Sequence, residues 1–381
     1  MSRHTYIAGL LGTMLLVSAC SQTPAATTAP TAAPSAAAAS TAPAAASAAA
    51  SQAASAAPVG SAYAAAPSPF NNGPVKIAMV RQSGAGDYFQ QWEQGAEAQA
   101  KAVGFDMQVY DAQADNAKQA TDMQTALNSG VAGIIVDHGL TATMVPLINQ
   151  AVQKGIPVVV YDVDGTAAPV VHTDQSDADM ATKDLTLMAQ TIPDGAKIGY
   201  VNALGIAPLD RRNVVFQQFV KQHNWNVEFF VGKFTNDVAT DNEKLVDAAL
   251  KAHPDVQAIF APYDELTKGT VAAVDNNNLQ SQIKVFGIDI SNADIQVMTT
   301  AGSPWVATAT TDPAGVGAAV VRTMALKLTG SPTTEVMFPA SLVTQQFLTQ
   351  NSIQNMDQLV QKIPSLLELG SSSAPWITPA Y

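Results

Sequence analysis

From residue 76 onward, short β-branched runs alternate with longer stretches whose apolar residues recur every three or four positions. Apolar runs at 76–80, 107–110, 133–136 and 157–161 are separated by amphipathic stretches at 88–103, 116–129 and 143–154. In the first of these stretches Phe89, Trp92, Ala96, Ala100 and Val103 share one helical side and predict a burial stripe. A second series follows, with strands predicted at 197–201, 227–234, 257–261, 284–288 and 305–310 and helices at 209–222, 238–252, 266–276 and 292–301. Such alternation predicts parallel strands joined by crossover helices that cover both sheet faces. The strands are too many for one comfortable sheet, so an α/β chain with two doubly wound lobes is expected.

Aspartates recur where these strands end. Asp111 follows Val109-Tyr110, Asp137 follows Ile135-Val136, and Asp162 and Asp164 follow Val160-Tyr161. In the second series Asp264 comes after Phe260-Ala261-Pro262-Tyr263, and Asp289 after Gly287-Ile288. In open α/β sheets the ligand crevice lies beyond the carboxyl ends of the strands. A single aspartate there is often a helix cap or turn residue. Recurrence at matching places, above all at Asp162 and Asp289 after the most apolar strands, points instead to a cleft lined with acceptors. Such a cleft favours a ligand rich in hydroxyl or amine donors.

Composition separates the chain into two materials. No Asp, Glu, Lys or Arg occurs between Arg3 and Lys76, so all 31 acidic side chains belong to the region from residue 76 onward. A net charge of −12 argues against a sequence-independent grip on nucleic acid, which needs clustered Lys and Arg. One cysteine excludes an internal disulfide, a zinc ribbon or a Cys-x-x-Cys redox pair. Arg3 and His4 precede an apolar run over 6–17, and Ser18-Ala19 follow, which is the layout of an export signal over 1–19 and too short for a lasting membrane span. Val17-Ser18-Ala19-Cys20 resembles a lipobox, which implies cleavage before Cys20 and lipidation of its sulfur. Residues 20–72 are dominated by Ala, Ser, Thr and Pro. Eight of the chain's 22 prolines lie between Pro24 and Pro74 and would cut any Ala-rich helix into short pieces, so a disordered tether is expected.

Enzyme signatures fail on inspection. Gly84-Ala85-Gly86 lacks the third glycine of a dinucleotide fingerprint, and neither a phosphate-binding loop nor a Gly-x-Ser-x-Gly elbow occurs. Asp111-Ala112-Gln113-Ala114-Asp115 is a poor calcium loop, because Asn116 stands where the turn glycine belongs and Asp122 where the bidentate glutamate belongs. His138, His172, His223 and His253 are too widely spaced for a local ligand pair. No metal and no cofactor is expected.

Several blocks taken in order carry a family resemblance: Lys76-Ile77-Ala78-Met79-Val80 with the loop to Tyr88-Phe89, and Gly155-Ile156-Pro157-Val158-Val159-Val160-Tyr161-Asp162. They continue with Arg212 before Phe216-Gln217-Gln218-Phe219, Ala252-His253-Pro254-Asp255-Val256-Gln257-Ala258-Ile259-Phe260-Ala261, and Val285-Phe286-Gly287-Ile288-Asp289. The region from about 73 to 350 thereby resembles the sugar-binding type I periplasmic binding proteins, especially the ribose-binding group. The resemblance implies two Rossmann-like lobes with parallel sheets, joined by a three-strand hinge and closing on one ligand. It places 73–175 and 313–338 in the first lobe, 176–312 and 339–363 in the second, and leaves 364–381 as a tail. Hinges would lie near Thr173-Asp174, Thr311-Asp312 and Phe338-Pro339.

Carried over position by position, the family's first-loop contact falls on Gln82, its asparagine position on Gly86, and its stacking pair on Tyr88 and Phe89. Its sugar-binding aspartate is Asp162, followed by Val163 in place of an arginine and then by Asp164. Its second-lobe arginine is Arg212. The asparagine after the Phe-Ala strand becomes Tyr263, followed by Asp264; a later aspartate is Asp289, and a hinge glutamine becomes Thr311. Asn236 or Asp237 holds a further contact position. Forked groups on Asp162, Arg212 and Asp289 suit adjacent hydroxyls, and Tyr88, Phe89 and Tyr263 offer flat faces to the C–H side of a sugar. The lost arginine and asparagine change the donor pattern, so a pentose, hexose, polyol or related compound is expected rather than ribose in particular.

The function implied is that of a lipid-anchored, monomeric receptor on the periplasmic or extracytoplasmic side of a membrane. It would hand its solute to an ABC permease driven by an ATPase, without covalent chemistry. Two alternatives stay open: a sensor feeding a chemoreceptor or kinase, and an exported carbohydrate-acting enzyme using Asp162 and Asp289 as acid and base.

Overall fold

A computed structural model describes residues 66–167, 169–369 and 372–381. The expected export signal, Cys20 and the tether as far as residue 65 lie outside the described residues. The first sheet contains β1 (Val75–Arg81), β2 (Phe105–Asp111), β3 (Gly133–Asp137), β4 (Val158–Tyr161), β5 (Val171–Gln175) and β11 (Val336–Phe338), in the order β11-β5-β4-β3-β1-β2. All its pairings are parallel. The second contains β6 (Lys197–Val201), β7 (Asn226–Val231), β8 (Ala258–Ala261), β9 (Lys284–Ile288), β10 (Trp305–Thr310) and β12 (Ser341–Thr344), in the order β12-β10-β9-β8-β6-β7. Here the β10–β12 pair alone is antiparallel among the described strands.

Strands β1, β3 and β4 are buried along almost their whole length, as expected of parallel strands covered on both faces. Helices α1 (Asp87–Val103), α2 (Asn116–Asn128), α3 (Thr141–Gln153) and α9 (Pro313–Leu328) cover the first sheet. The second is flanked by α4 (Asp177–Thr191), α5 (Ala207–His223), α6 (Val238–Ala252), α7 (Asp264–Asn276) and α8 (Asn292–Thr299), with α10 (Gln345–Gln350) at its β12 edge and α11 (Met356–Lys362) tied to the start of α8 through Met356 N and Asn292. The chain passes between the lobes three times, after β5, β10 and β11. Trp92, Ala96, Ala100 and Val103 form the buried side of α1. That helix presses on α9 through paired glycines. A Cβ on Gly95 would stand 1.9 Å from the Ala314 carbonyl oxygen, and one on Gly317 would stand 2.0 Å from that of Trp92.

Periodicity did not flag β5, α4, α9 or the short elements after it. Strand β5 reads Val-His-Thr-Asp-Gln, polar in sequence yet largely buried, because Thr173 donates to the Val160 carbonyl and Gln175 bonds Tyr88, Asp289 and Thr311 where the lobes meet. Helix α9 is buried on nearly every side, so it has no polar stripe to mark its period. One expectation is corrected at the boundary of the tether. Ordered structure begins before residue 73: Phe70 is buried, with its ring centroid 5.1 Å from those of both Phe105 and Trp376. The aromatic ring gives this end of the Ala-rich segment something to bury. The tail is likewise docked on the first lobe. Arg322 Nε donates to the Ser372 carbonyl at 2.8 Å, Gln99 Nε2 donates to that of Thr378 at 3.0 Å, and Ile377 is buried.

Two predictions follow from this packing. Gly317→Val places three carbons where the backbone of α1 already lies and is expected to cost at least about 2 kcal/mol in urea unfolding. Asp312 caps α9, its Oδ2 accepting from the Gly315 N–H at 3.0 Å, and burial pushes its carboxyl up to about 6. Because the folded value exceeds the unfolded one, near 3.9, its contribution is greatest below pH about 4 and is lost as pH rises through about 6. Asp312→Asn keeps the cap without the titration. It should gain about 1 kcal/mol relative to the parent at pH 7.5, a difference that disappears by pH 4 when unfolding is followed at both values.

Candidate functional site

The carboxyl ends of both sheets face one cleft. The first lobe supplies Gln82 and Ser83 after β1, Tyr88 and Phe89 at the start of α1, and His138 after β3. From the second come Ile206, Pro208, Leu209 and Arg212 on or beside the first turns of α5, Phe234 after β7, Tyr263 before α7, and Asp289 after β9. Gln175, the last residue of β5, lies between them.

Three residues of this region leave their strands in left-handed backbone: His138 (φ 58°), Asp162 (φ 54°) and Asp289 (φ 74°). Asp and His tolerate that conformation better than most residues. Each is pinned by the adjacent strand. His138 N donates to Tyr161 O at 2.8 Å, Asp162 N to Thr173 O at 3.1 Å, and Asp289 N to Ala309 O at 2.9 Å. Strain of this kind collects at functional sites because the surrounding sheet can enforce it.

Arg212 is buried and ties the floor together. Its Nε donates to Asp177 Oδ1 at 2.7 Å, Nη1 to Pro262 O at 2.7 Å and to Asp289 Oδ2 at 3.2 Å, and Nη2 to Gln175 Oε1 at 2.8 Å. Burial alone would lower its pKa, but Asp289 and Asp177 more than reverse this and raise it. Gln175 Nε2 faces Tyr88 Oη at 2.8 Å and Asp289 Oδ1 and Thr311 Oγ1, both at 3.0 Å, while Tyr88 Oη and Thr311 Oγ1 are 2.8 Å apart. Burial pushes the Tyr88 phenol well up, and the Asp289 charge adds to this. The Asp289 carboxyl is itself raised by burial, against the pull of Arg212 and Gln175.

Asp162 lies beside this floor, outside the cleft lining. Its Oδ1 accepts from Arg211 Nη2, whereas its Oδ2 has no partner among the described residues and stands 3.9 Å from His138 Nε2. Burial and the Asp177 charge push this carboxyl well up, with Arg211 opposing. Gln82 donates through Nε2 to Asn116 Oδ1 at 2.9 Å and leaves Oε1 buried without a partner among the described residues. The region thus keeps two buried acceptors in reserve. The aromatic faces run in a row: Phe234 to Tyr263 at 6.3 Å between centroids, Tyr263 to Phe89 at 6.0 Å, and Phe89 to His138 at 5.2 Å.

Of the residues singled out in the sequence, Gln82, Tyr88, Phe89, Arg212, Tyr263 and Asp289 line the cleft. Thr311 stands behind Tyr88. Asp264 is buried beneath Tyr263, beside Lys268 Nζ at 4.0 Å, with its carboxyl raised well above its ordinary range by burial and by Asp294. Gly86, Asn236 and Asp237 line a separate surface hollow. There Gly86 is a point of close approach, since a Cβ on it would meet Glu265 Oε1 at 2.8 Å. Asp164 is half exposed and bonds Arg211 Nη1 at 2.6 Å.

Sequence reasoning missed His138, Gln175 and the apolar residues of the second lobe. His138 directly follows Asp137, so extending the strand-end rule by one residue would have found it. Asp137 itself is engaged by Arg81 Nε and by His138 Nδ1, each at 2.6 Å. Ile206 and Leu209 carry no polar signal that could have marked them.

Two ionic straps join the lobes outside the cleft. Arg211 reaches from α5 to Asp162 and Asp164 at the end of β4, while its Nε bonds Asp177 Oδ2 at 2.7 Å. Lys268 on α7 reaches Asp87 on α1 at 2.9 Å and is also held by Glu265 at 2.6 Å.

The sequence model of the family described as "Periplasmic binding protein domain" matches residues 77–332. The ribose import binding protein of Salmonella typhimurium is 27% identical over 215 residues, which cover 56% of this chain and 72% of that protein. The D-apiose import binding protein of Paraburkholderia graminis is 26% identical over 219 residues, or 57% of this chain and 70% of that one. Among solved structures, the 5-methylthioribose transporter solute binding protein of Thermotoga lettingae, in complex with 5-methylthioribose, superposes with a TM-score of 0.77 at 33% identity. That match covers 80% of this chain and 97% of the other. A sugar ABC transporter protein of Yersinia enterocolitica gives a TM-score of 0.77 at 28% identity, covering 80% and 93%.

The straps can be weakened without stranding a buried charge, since Asp87 and Asp164 are the exposed partners and the Arg211–Asp162 pair stays in place. Asp87→Asn combined with Asp164→Asn is expected to loosen the closed arrangement by about 1 kcal/mol. Small-angle scattering should then give a larger radius of gyration than for the parent at low salt. The difference should shrink in 0.5 M NaCl, where exposed pairs are already screened.

Proposed function

The chain belongs to the periplasmic binding protein family of sugar-transporter solute-binding proteins, and from that premise we propose that it captures a sugar or polyol between its lobes and delivers it to an ABC permease. The observation that carries the reading is the pairing of an unsatisfied buried acceptor in the lining, Gln82 Oε1, with the Arg212–Asp289 floor and the aromatic row. A hydroxyl donor completes that acceptor, and C–H faces cover Tyr263 and Phe89. Similar proteins are named for ribose, D-apiose and 5-methylthioribose, which share a pentose body. Asp289 and Arg212 grip adjacent hydroxyls in this reading, Gln82 accepts from another, Asp162 stands behind them beside His138, and Tyr88 shapes the floor through Gln175 and Thr311. Asp264, Gly86, Asn236, Asp237 and Asp164 act at the rim or behind the lining.

Capture requires no bond to be made or broken, so the ligand leaves as it entered. Export by the signal at 1–19, lipidation of Cys20 and a tether reaching toward residue 65 would hold a monomeric receptor at the membrane that carries the permease and its ATPase. Several buried acyl chains on one residue suffice for stable anchoring.

A thermal-shift screen of sugars and polyols should reveal a ligand that raises the melting temperature. In calorimetry Asp289→Asn, which keeps the shape of the site, is expected to weaken that ligand by roughly tenfold to a hundredfold. A ligand recovered chemically altered, or affinity indifferent to Asp289→Asn, overturns the reading.

A further inference from the structure

The cleft has a chemical gradient along α5. Ile206, Leu209 and Arg212 follow one another at intervals of three, so they share one side of the helix start. At 1.5 Å per residue, Ile206 stands about 9 Å along the axis from Arg212. Around Arg212 are the hydrogen-bonding groups of Gln175 and Asp289. Apart from Arg212 and Asp289, the lining that the second lobe supplies is hydrocarbon and aromatic: Ile206, Pro208, Leu209, Phe234 and Tyr263. Ile206 and Leu209 are 5% and 3% exposed, so a ligand group reaching them leaves water altogether.

A plain sugar is a poor match to such a gradient. Each hydroxyl taken out of water needs a partner, and one pressed against Ile206 and Leu209 has none from those side chains. Leaving it unpaired costs about tenfold to a hundredfold in affinity. An apolar group at the same place gains about fourfold for each buried CH₂. The ligands named for similar proteins share a pentose body, and an arm on a terminal carbon extends such a molecule without widening it.

We infer that the ligand is a pentose-sized polyhydroxylated compound carrying a compact apolar substituent, an alkyl or thioether arm of one to three heavy atoms, seated against Ile206, Leu209 and Phe234. This rests on the sugar-binding reading of the same cleft. The arm is read by the second lobe and the hydroxyls by the floor, so the two lobes check different parts of one molecule.

The test is calorimetry of the intact chain with D-ribose, 5-deoxy-D-ribose and 5-S-methyl-5-thio-D-ribose, run beside a general sugar and polyol panel. Affinity should rise in that order, with the thioether at least tenfold tighter than ribose. Ile206→Thr should shrink this ratio by about fivefold or more. The ratio is taken within one protein sample, so it stays readable even if the variant is less stable. Ribose binding as tightly as the thioether, or an unchanged ratio in Ile206→Thr, overturns the inference and leaves the sugar-binding reading standing. Binding of nothing in the panel overturns both.

Discussion

The structure depends on one buried guanidinium. Arg212 is placed by α5, yet what it holds comes from three directions: Asp177 at the start of α4, the carbonyl after β8, and the carboxylate after β9. Its fourth contact, Gln175, is the last residue before the chain first leaves the first sheet. A cation in that position is costly to desolvate, and the carboxylates of Asp177 and Asp289 are what make it tolerable. Removing it would leave the Asp289 charge buried without a cationic partner and Asp177 held by Arg211 alone. The guanidinium thus fixes the second lobe's strand ends to the crossing segment, and the cleft floor inherits its geometry from that attachment.

The neighbouring arginine has the opposite character. Arg211 shares Asp177 with Arg212 but turns outward, over the edge of the cleft, to the carboxylates at the end of β4. One residue apart in sequence, the two side chains divide the labour: one makes the second lobe rigid, and the other spans to the first. Asp177, which accepts from both, couples them. Lys268 performs the same spanning role on α7 toward Asp87. Among them the Arg211–Asp164 and Lys268–Asp87 pairs are partly solvated and individually weak. Weakness suits a contact that must break and re-form, whereas the fully buried Arg212 network has no such freedom.

Much of this fold was legible in the sequence because parallel strands buried on both faces read as apolar runs. The runs at 197–201, 284–288 and 305–310 coincide with β6, β9 and β10. What periodicity could not reach were elements whose burial is satisfied by polar contact, such as β5, or by burial on every side, such as α9. The site divides in the same way. Aspartates at strand ends announced Asp289 and Asp162, since carboxylates are rare beside buried strands without a reason. Arg211 was passed over because its partners lie 34 to 49 residues away in sequence and meet it only when the lobes come together. Phe70 hid at the end of a segment whose composition otherwise denies it a core.

A closed cleft whose strongest groups already satisfy one another sets the terms for any ligand. Arg212, Asp289, Gln175 and Tyr88 form a connected set of hydrogen bonds without outside help. A ligand that merely replaced those bonds would gain little, because an exchanged hydrogen bond is nearly neutral. Net affinity must come from groups that the protein leaves unfinished: the Gln82 oxygen, and the apolar surface from Phe89 to Phe234. The floor then acts chiefly through shape and charge, holding a rigid register against which the unfinished groups select. Discrimination between similar solutes accordingly falls to the edges of the cleft, where hydroxyls and hydrocarbon are sorted, rather than to the charged centre that dominates its appearance.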